Sequence, residues 1–459
     1  MIFPTFFVES PLIATLPMPT IFASMGGGEG ETYAKALAIG VSLITAVVFI
    51  AAQVFGELAI LIGLPAVLGE LIAGFVIGVS GLHLLVLNNG DQVADWAVVS
   101  IQWFSGSDPA TIREIFAGPV KILLNDYAAT GVAVLLFKIG LEADLKELIK
   151  VGPQAASVAV AGVALPFVLG FWSLSSLFNL AMIPAIFGAA ALTATSIGIT
   201  SRIMQDIGVL NTKEGQIILG AAVLDDILGI AILAVAVGIA VHGTVEVVNV
   251  LSIIVSATLF VLGAIALNKF FGPRYINFLD QLNNPYGVLI GAIVFLCLMS
   301  TVAQAIGLEA ILGCFAAGIV LGNTQATHTL EKACEPLVAL FATAFFVSIG
   351  AKTDLTVLNL ANPESRTGLV IALLLTVVAI VGKLAAGYCV FTKNPINRLA
   401  IGVGMVPRGE VGLVFAGLGA ATGALSASVD VAIVLMVIAT TFIAPPMLRW
   451  VFAQKTQDA

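Results

Sequence analysis

The sequence predicts an all-α polytopic membrane protein: about thirteen transmembrane helices in an inverted-topology repeat, with two crossed broken helices. Three observations carry this. Of 459 residues, 59% are apolar and only 10% are charged. Apolar runs long enough to cross a bilayer recur from Lys35 to the C-terminus. Two sequence patterns recur in the same order, seven spans apart.

The spans run over 34–57, 60–82, 123–143, 152–178, 182–204, 211–241, 245–271, 285–306, 308–323, 331–351, 367–392, 396–422 and 427–453. The ninth is short for a crossing. Polar residues interrupt the fifth and the twelfth. Residues 1–33 begin as an apolar segment broken by Pro4, Pro11, Pro17 and Pro19; without a positive n-region it does not read as a secretory signal. Residues 83–122 form the long polar connection. There "SDPATIREIFAGPV" predicts a short helix lying on the membrane surface, with Ser107 or Asp108 as cap and Pro109 in its first turn. Trp96 and Trp103 suit an interfacial position.

Basic residues orient the chain. Lys146, Lys150, Arg202, Lys213, Lys269, Arg274, Lys332, Lys393, Arg398, Arg449 and Lys455 fall after odd-numbered spans. Lys35, Arg113, Lys121, Lys352 and Arg366 fall on the opposite side. The excess puts the N-terminus outside and the C-terminus in the cytoplasm. The net charge of −8 comes with no basic cluster, which excludes nucleic acid as a partner. The four cysteines form no CxxC pair and read as small core residues.

"GLPAVLGELIAGFVIG" (63–78) and "GLEAILGCFAAGIVLG" (307–322) agree at nine of sixteen positions. "IGLEADL" (139–145) and "IGAKTDL" (349–355) form a second pair. An offset of seven spans is odd, so one copy is inverted relative to the other. Inverted repeats are typical of secondary transporters, whose sites lie near the midplane where corresponding helices are broken. Span five carries "ALTATSIGIT" (191–200) with Thr193, Thr195 and Ser196; span twelve carries "GMVPRGEVG" (404–412). These two are corresponding members.

Charge inside the spans is sparse, and ionised groups in hydrocarbon are costly, so each needs an explanation. Asp225 and Asp226 stand side by side in "GAAVLDDILGIAILAVAVGIAV" (220–241). On a helix they point about 100° apart, so one can face the breaks while the other meets a different partner. Lys383 of span eleven is the cationic candidate, against the alternative of a snorkelling residue. Arg408 and Glu410 flank the Pro407 break; they neutralise each other or the ends of half-helices, or handle ions directly. Glu70 and Lys138 read as structural, with no partner identified. The span-five hydroxyls either satisfy freed backbone groups or offer hard oxygens to an alkali cation.

The ordered set "GLPAVLGELIAGFVIG", "FKIGLEADL", "ALTATSIGIT", "AAVLDDILGI", "AFFVSIGAKTDL", "VGK" and "PRGEVGLV" covers nearly all of residues 57–450. It resembles the monovalent cation/proton antiporters of the bacterial Na+/H+ exchanger type, in the branch that includes the potassium efflux antiporters. The resemblance implies a homodimer. Residues 34–143 and 285–351 would form its dimer domain, with 83–122 as an outer surface loop. Residues 152–241 and 367–453 would form a moving core, and 245–271 the connecting helix. It implies that Asp226 binds the ion and that Asp225 pairs with Lys383. An Asp-Asp-Lys set implies electrogenic, sodium-selective exchange. The nucleotide-binding domain of the potassium efflux members has no counterpart in the 459 residues.

The expected function is exchange of Na+, or of Li+ or K+, for H+ by alternating access, with no enzymatic activity and no cofactor. Asp226, with Asp225 and oxygens around Thr193, Thr195 and Ser196, would hold either the cation or protons. A bacterial cell inner membrane is the expected location, an internal membrane such as a thylakoid the alternative. The rivals are a K+/H+ antiporter, a sodium-coupled organic-anion symporter, a channel and an intramembrane aspartyl protease. The protease is disfavoured because its two aspartates must meet face to face, whereas adjacent residues on one helix diverge.

Overall fold

The computed structural model describes residues 27–85, 87, 92–242, 247–281, 284, 286–322, 324–352, 363–392, 395–409, 412, 414–416, 419 and 425–455. Most of the N-terminal segment, the end of "IGAKTDL", Glu410 and much of the second half of span twelve lie outside them. The described residues are helical with no strand. Nine of their helices are long and apolar enough to cross a membrane.

Helix α1 (Gly27–Leu61) is followed by a sharp turn and the short α2 (Ala66–Ile77). Gly63 takes φ +79°, and Pro65 stands at the N-cap with extended backbone. The sequence predicts a full crossing over 60–82; the structure corrects this to twelve helical residues, because Gly63 and Pro65 delay the start and Gly78 ends the helix. Next come α3 (Asp95–Ser105), α4 (Pro109–Ile115), one π-helical turn (Phe116–Val120) and α5 (Lys121–Glu142). Asp108 caps α4, accepting from the Thr111 amide at 3.0 Å. The segment expected to be a surface loop is thus largely helical, and α4 runs on into α5 as one continuous span.

Helix α6 (Leu145–Leu177) is capped by Asp144; α7 (Met182–Ala191) and α8 (Ile197–Asp206) are the two halves of span five. Helix α9 (Lys213–His242) is unbroken and carries both adjacent aspartates. The connector α10 (Val247–Phe270) leads to the amphipathic α11 (Gly272–Asp280), α12 (Gly287–Ala305) and α13 (Ala310–Leu321). Helices α14 (Thr327–Ala351), α15 (Pro363–Gly387), α16 (Arg398–Gly404) and α17 (Ala427–Lys455) complete the order.

The repeat is visible in the packing. Gly307 takes φ +81°, as its counterpart Gly63 takes +79°. Gly74 of α2 presses on the Val347 carbonyl of α14; its counterpart Gly318 of α13 presses on the Phe137 carbonyl of α5. Phe137 and Val347 are themselves counterparts in the second repeat pair. Gly350 meets Leu71 just as Gly140 meets Phe315. A side chain at any of these four glycines would collide with backbone, so small residues let the helices approach closely. Gly131 of α5 meets Phe341 of α14, its own counterpart, so the pseudo-two-fold axis passes through that crossing.

The helices pack in two groups. In one, α5 lies between α13 and α14, with α1 on α2, α2 on α14 and α12 on α13. In the other, α6 packs on α7, α9 and α15, and α15 packs on α16 and α17. Helix α10 touches both α9 and α13, and α8 bridges to α2 and α5.

Candidate functional site

The site lies where the two breaks cross. Span five leaves helix at Leu192 and resumes at Ile197, with the Ser196 hydroxyl accepting from the Ile199 amide. Span twelve leaves helix after Gly404, where Pro407 supplies no N–H to continue it. Freed backbone groups must find partners in the apolar interior, and here each break serves the other. The Ser196 amide donates to the Pro407 carbonyl at 2.9 Å. The Thr195 and Thr200 hydroxyls donate to the Met405 and Gly404 carbonyls at 3.1 and 2.9 Å. Arg408 donates from Nη1 to the Ala194 carbonyl, and its own carbonyl accepts from Thr441 at 2.6 Å. A cation thus stands beyond the carbonyl end of α7, where the helix dipole favours it.

Helix α9 passes beside this crossing and sends its two aspartates apart. Asp225 is fully buried and meets Lys383 of α15, with Nζ 2.9 Å from Oδ2 and 3.2 Å from Oδ1. Lys383 is itself fully buried, so the two charges neutralise each other in a dry setting. Gly162 of α6 leaves room for the ammonium: a Cβ there would stand 3.2 Å from Nζ. Asp226 turns the other way and lines a small cavity with room for about one water-sized sphere. Thr195, Ser196, Ala194, Gly198 and Gly409 complete most of its wall.

The structure therefore separates residues that the sequence grouped together. Asp226, Thr195 and Ser196 share the cavity, whereas Asp225 is held by Lys383 outside its lining. Thr193 also lies outside that lining; its hydroxyl donates to the Ala190 carbonyl at 2.7 Å, the local satisfaction of a helix end. Arg408 lies at the break, while Glu410 is outside the described residues. Glu70 accepts from Thr343 at 3.1 Å, and Lys138 pairs with Glu142 at 3.1 Å one helical turn away. Gly409, Thr441, Gly162 and Ile311 are at or around the site without having been singled out. Gly409 stood within the "PRGE" stretch and Ile311 within the repeat 307–322; the other two gave no local signal.

Comparison with known proteins agrees with this architecture. The family model described as "Sodium/hydrogen exchanger, transmembrane" matches residues 43–454. The high-affinity Na+/H+ antiporter NhaS3 of Synechocystis sp. (strain ATCC 27184 / PCC 6803 / Kazusa) is 48% identical over 428 residues, 92% of each chain. The Na+/H+-K+ antiporter GerN of Bacillus cereus is 32% identical over 414 residues, 89% of this chain and 96% of that one. Among solved structures, the sodium proton antiporter MjNhaP1 of Methanocaldococcus jannaschii superposes with a TM-score of 0.61 at 15% identity. That match covers 90% of this chain and 95% of the other, and shows a shared fold.

Proposed function

The chain belongs to the sodium/hydrogen exchanger family, and from that premise we propose that it exchanges Na+ for H+ at Asp226 by alternating access. It is a multi-pass integral membrane protein and not an enzyme. One observation carries the proposal: of two adjacent buried aspartates, one is neutralised by Lys383 and the other lines a cavity between crossed helix breaks.

The chemistry follows from the donor set. Asp226 brings one negative charge, and Thr195 and Ser196 bring hydroxyl oxygens. Hard oxygens suit an alkali cation, and a single carboxylate balances a single positive charge. In a low-dielectric cavity that carboxylate cannot stay ionised alone. It holds either the cation or a proton, and each displaces the other. Loading with Na+ therefore releases H+, and protonation expels Na+. Asp225 and Lys383 keep a second charge pair beside the site. Lys383 gives up a second proton as Na+ loads and regains it as Na+ leaves, so two H+ exchange for one Na+ and the cycle is electrogenic. Arg408 fixes the crossing through the Ala194 carbonyl.

The group built on α5, α13 and α14 acts as the scaffold of a homodimer. The group built on α6, α9, α15 and α17 carries the ion past it. The names of NhaS3 and GerN support Na+ as the substrate, with K+ as the competitor to test. The N-terminus faces outward and the C-terminus the cytoplasm, in a bacterial inner membrane or an internal one.

Proteoliposomes with an imposed proton gradient test this. Addition of Na+ should alkalinise an acid-loaded lumen, and clamping the voltage should change the rate. Asp226→Asn should abolish the response while the protein remains inserted and monodisperse. A normal Na+ response from Asp226→Asn would overturn the assignment; a response to K+ alone would overturn the choice of cation.

A further inference from the structure

Helix α8, the second half of span five, meets α2 and α5 through polar side chains in its last turn. Gln205 donates to both carboxylate oxygens of Glu142 of α5, at 3.0 and 3.1 Å, and Lys138 stands 3.1 Å from the same carboxylate. Asp206 accepts from the backbone amide of Val67 in the first turn of α2, and pairs with Arg202 of its own helix at 3.2 Å. One turn further along α2, Glu70 is only 8% exposed. Its Oε1 accepts from the Thr343 hydroxyl of α14 at 3.1 Å, but its Oε2 is buried with no hydrogen bond among the described residues. The same holds for Nε of Arg202, whose contact with Asp206 lies off the hydrogen-bonding direction. Arg202 and Asp206 are the charges that act on Glu70. Of the other helices packed on α2, α14 brings Thr343, α1 the exposed Glu57, and α17 Arg449 beside Gly63.

Buried polar groups are nearly always paired in native proteins, and the exceptions need a cause. Here an orphaned acceptor and an orphaned donor of opposite charge lie in each other's field, one on α2 and one on α8. A carboxylate with a single donor in a dry interior takes up a proton rather than stay ionised. The same carboxylate stays ionised once a guanidinium completes it. The proton on Glu70 therefore depends on where α8 stands relative to α2.

We propose that Glu70 is a second proton-binding group, placed where the two groups of helices slide, with Arg202 as its alternate partner. With α8 as here, Arg202 stays with Asp206 and Glu70 carries a proton on Oε2. As α8 shifts, Arg202 passes from Asp206 to Oε2, the proton leaves to water, and the new ion pair holds the shifted disposition. Glu70 stays on α2, so this proton is not carried across. Glu70 and Arg202 are positioning residues: the first turn of α8 borders the Asp226 cavity, and they act on its last. The proposal rests on the reading that the ion-carrying group slides past α2 and α5. Rising pH ionises Glu70 and so favours the shifted disposition, while acid favours the present one.

Infrared difference spectroscopy on the full chain in proteoliposomes tests this, with Na+-driven exchange measured on the same preparations. Acid should raise the carbonyl stretch of a protonated carboxylic acid that is absent from Glu70→Gln and present in Asp226→Asn. In Arg202→Gln that band should persist to more alkaline pH, because the cation that favours the ionised form is gone. Glu70→Gln should slow exchange about tenfold at alkaline pH, the size expected for a lost hydrogen bond between charged groups. In acid it should match the parent, whose Glu70 is then protonated too. Arg202→Gln should show the same alkaline deficit, the double variant should be no worse than either, and Arg202→Lys, which keeps the charge, should recover most of the rate. Absence of a protonated-acid band belonging to Glu70, or losses that add in the double variant, would overturn the proposal. The band needs no Arg202 variant, so it decides the matter even where Arg202→Gln fails to fold. An inactive Asp226→Asn without a Glu70 band removes the switch alone. A Glu70 band in an Asp226→Asn variant that still exchanges removes the ion site alone.

Discussion

The proposed scaffold group and the proposed ion-carrying group are built on opposite principles. In the scaffold, the repeat governs contact after contact: Gly74 on Val347 is matched by Gly318 on Phe137, and Gly350 on Leu71 by Gly140 on Phe315. The forces there are close backbone approach and dispersion, which need no charge. In the other group the repeat survives as two breaks, but the buried charges do not follow it. Asp225, Asp226 and Lys383 have no charged equivalents placed by the repeat. Symmetry supplies a frame with two equivalent dispositions, and chemistry sits where the symmetry is given up.

The largest expected effect breaks the charged side of this contrast. Lys383→Ala leaves Asp225 buried without its cation, a change that typically costs about 3–5 kcal/mol. The double variant Asp225→Leu with Lys383→Met removes both charges and should recover most of that loss, since apolar replacement of a buried pair is often neutral. Melting temperature in detergent reads both. If the double variant melts no higher than Lys383→Ala, the pair is not the coupled unit seen here. Transport should fall in both variants, so stability and activity part company in the double one.

Next in size is the frame. Gly74→Val and Gly318→Val each drive a side chain into the facing backbone, and overpacking of this kind costs about 1–3 kcal/mol. Because the sites are counterparts, the two losses should be similar. Gly263→Ala in α10 is the control: nothing lies within 4 Å of its Cβ, so the variant should melt no lower than the parent. Unequal losses at Gly74 and Gly318 would mean that the repeat is geometric without being energetically symmetric.

Much of this was legible in the chain because periodic apolar runs and ordered repeats are strong signals. The divergence of Asp225 and Asp226 follows from helical pitch alone, and the pairing of spans five and twelve from counting. What stayed hidden depends on contacts between distant segments. Nothing local marks Thr441 as the partner of the Arg408 carbonyl, or Gly162 as the space for Lys383. Thr193 and Thr195 look alike in sequence, yet one bonds back to Ala190 and the other reaches Met405. Span two appeared continuous because hydropathy does not see the φ of Gly63. The helix α3 was concealed by the polar residues around it, although its Ala97, Val98 and Ile101 are buried.

The smallest effect belongs at the exposed edge of the scaffold group, where neither close packing nor buried charge operates. Asp108 caps α4 through the Thr111 amide and hydroxyl, at 3.0 and 2.6 Å. Those bonds, the hydroxyl first, hold its carboxyl below the ordinary aspartate value of 3.8. A depressed pKa in the folded state means the cap contributes fully above that ordinary value and is lost as pH falls through the depressed one. Asp108→Ala should cost about 1 kcal/mol near neutral pH, as lost N-caps do, and the gap to the parent should close in strong acid. Asp108→Asn keeps a capping oxygen without the titration, so its deficit should be small near neutral pH. In strong acid the parent loses its cap and Asp108→Asn does not, so their order in melting temperature should reverse. Transport should be unchanged in both variants, because α4 lies far along the chain from the crossing. A loss of exchange on Asp108→Ala would show that the outer edge of the frame reports to the ion site, and the division between frame and chemistry would have to be redrawn.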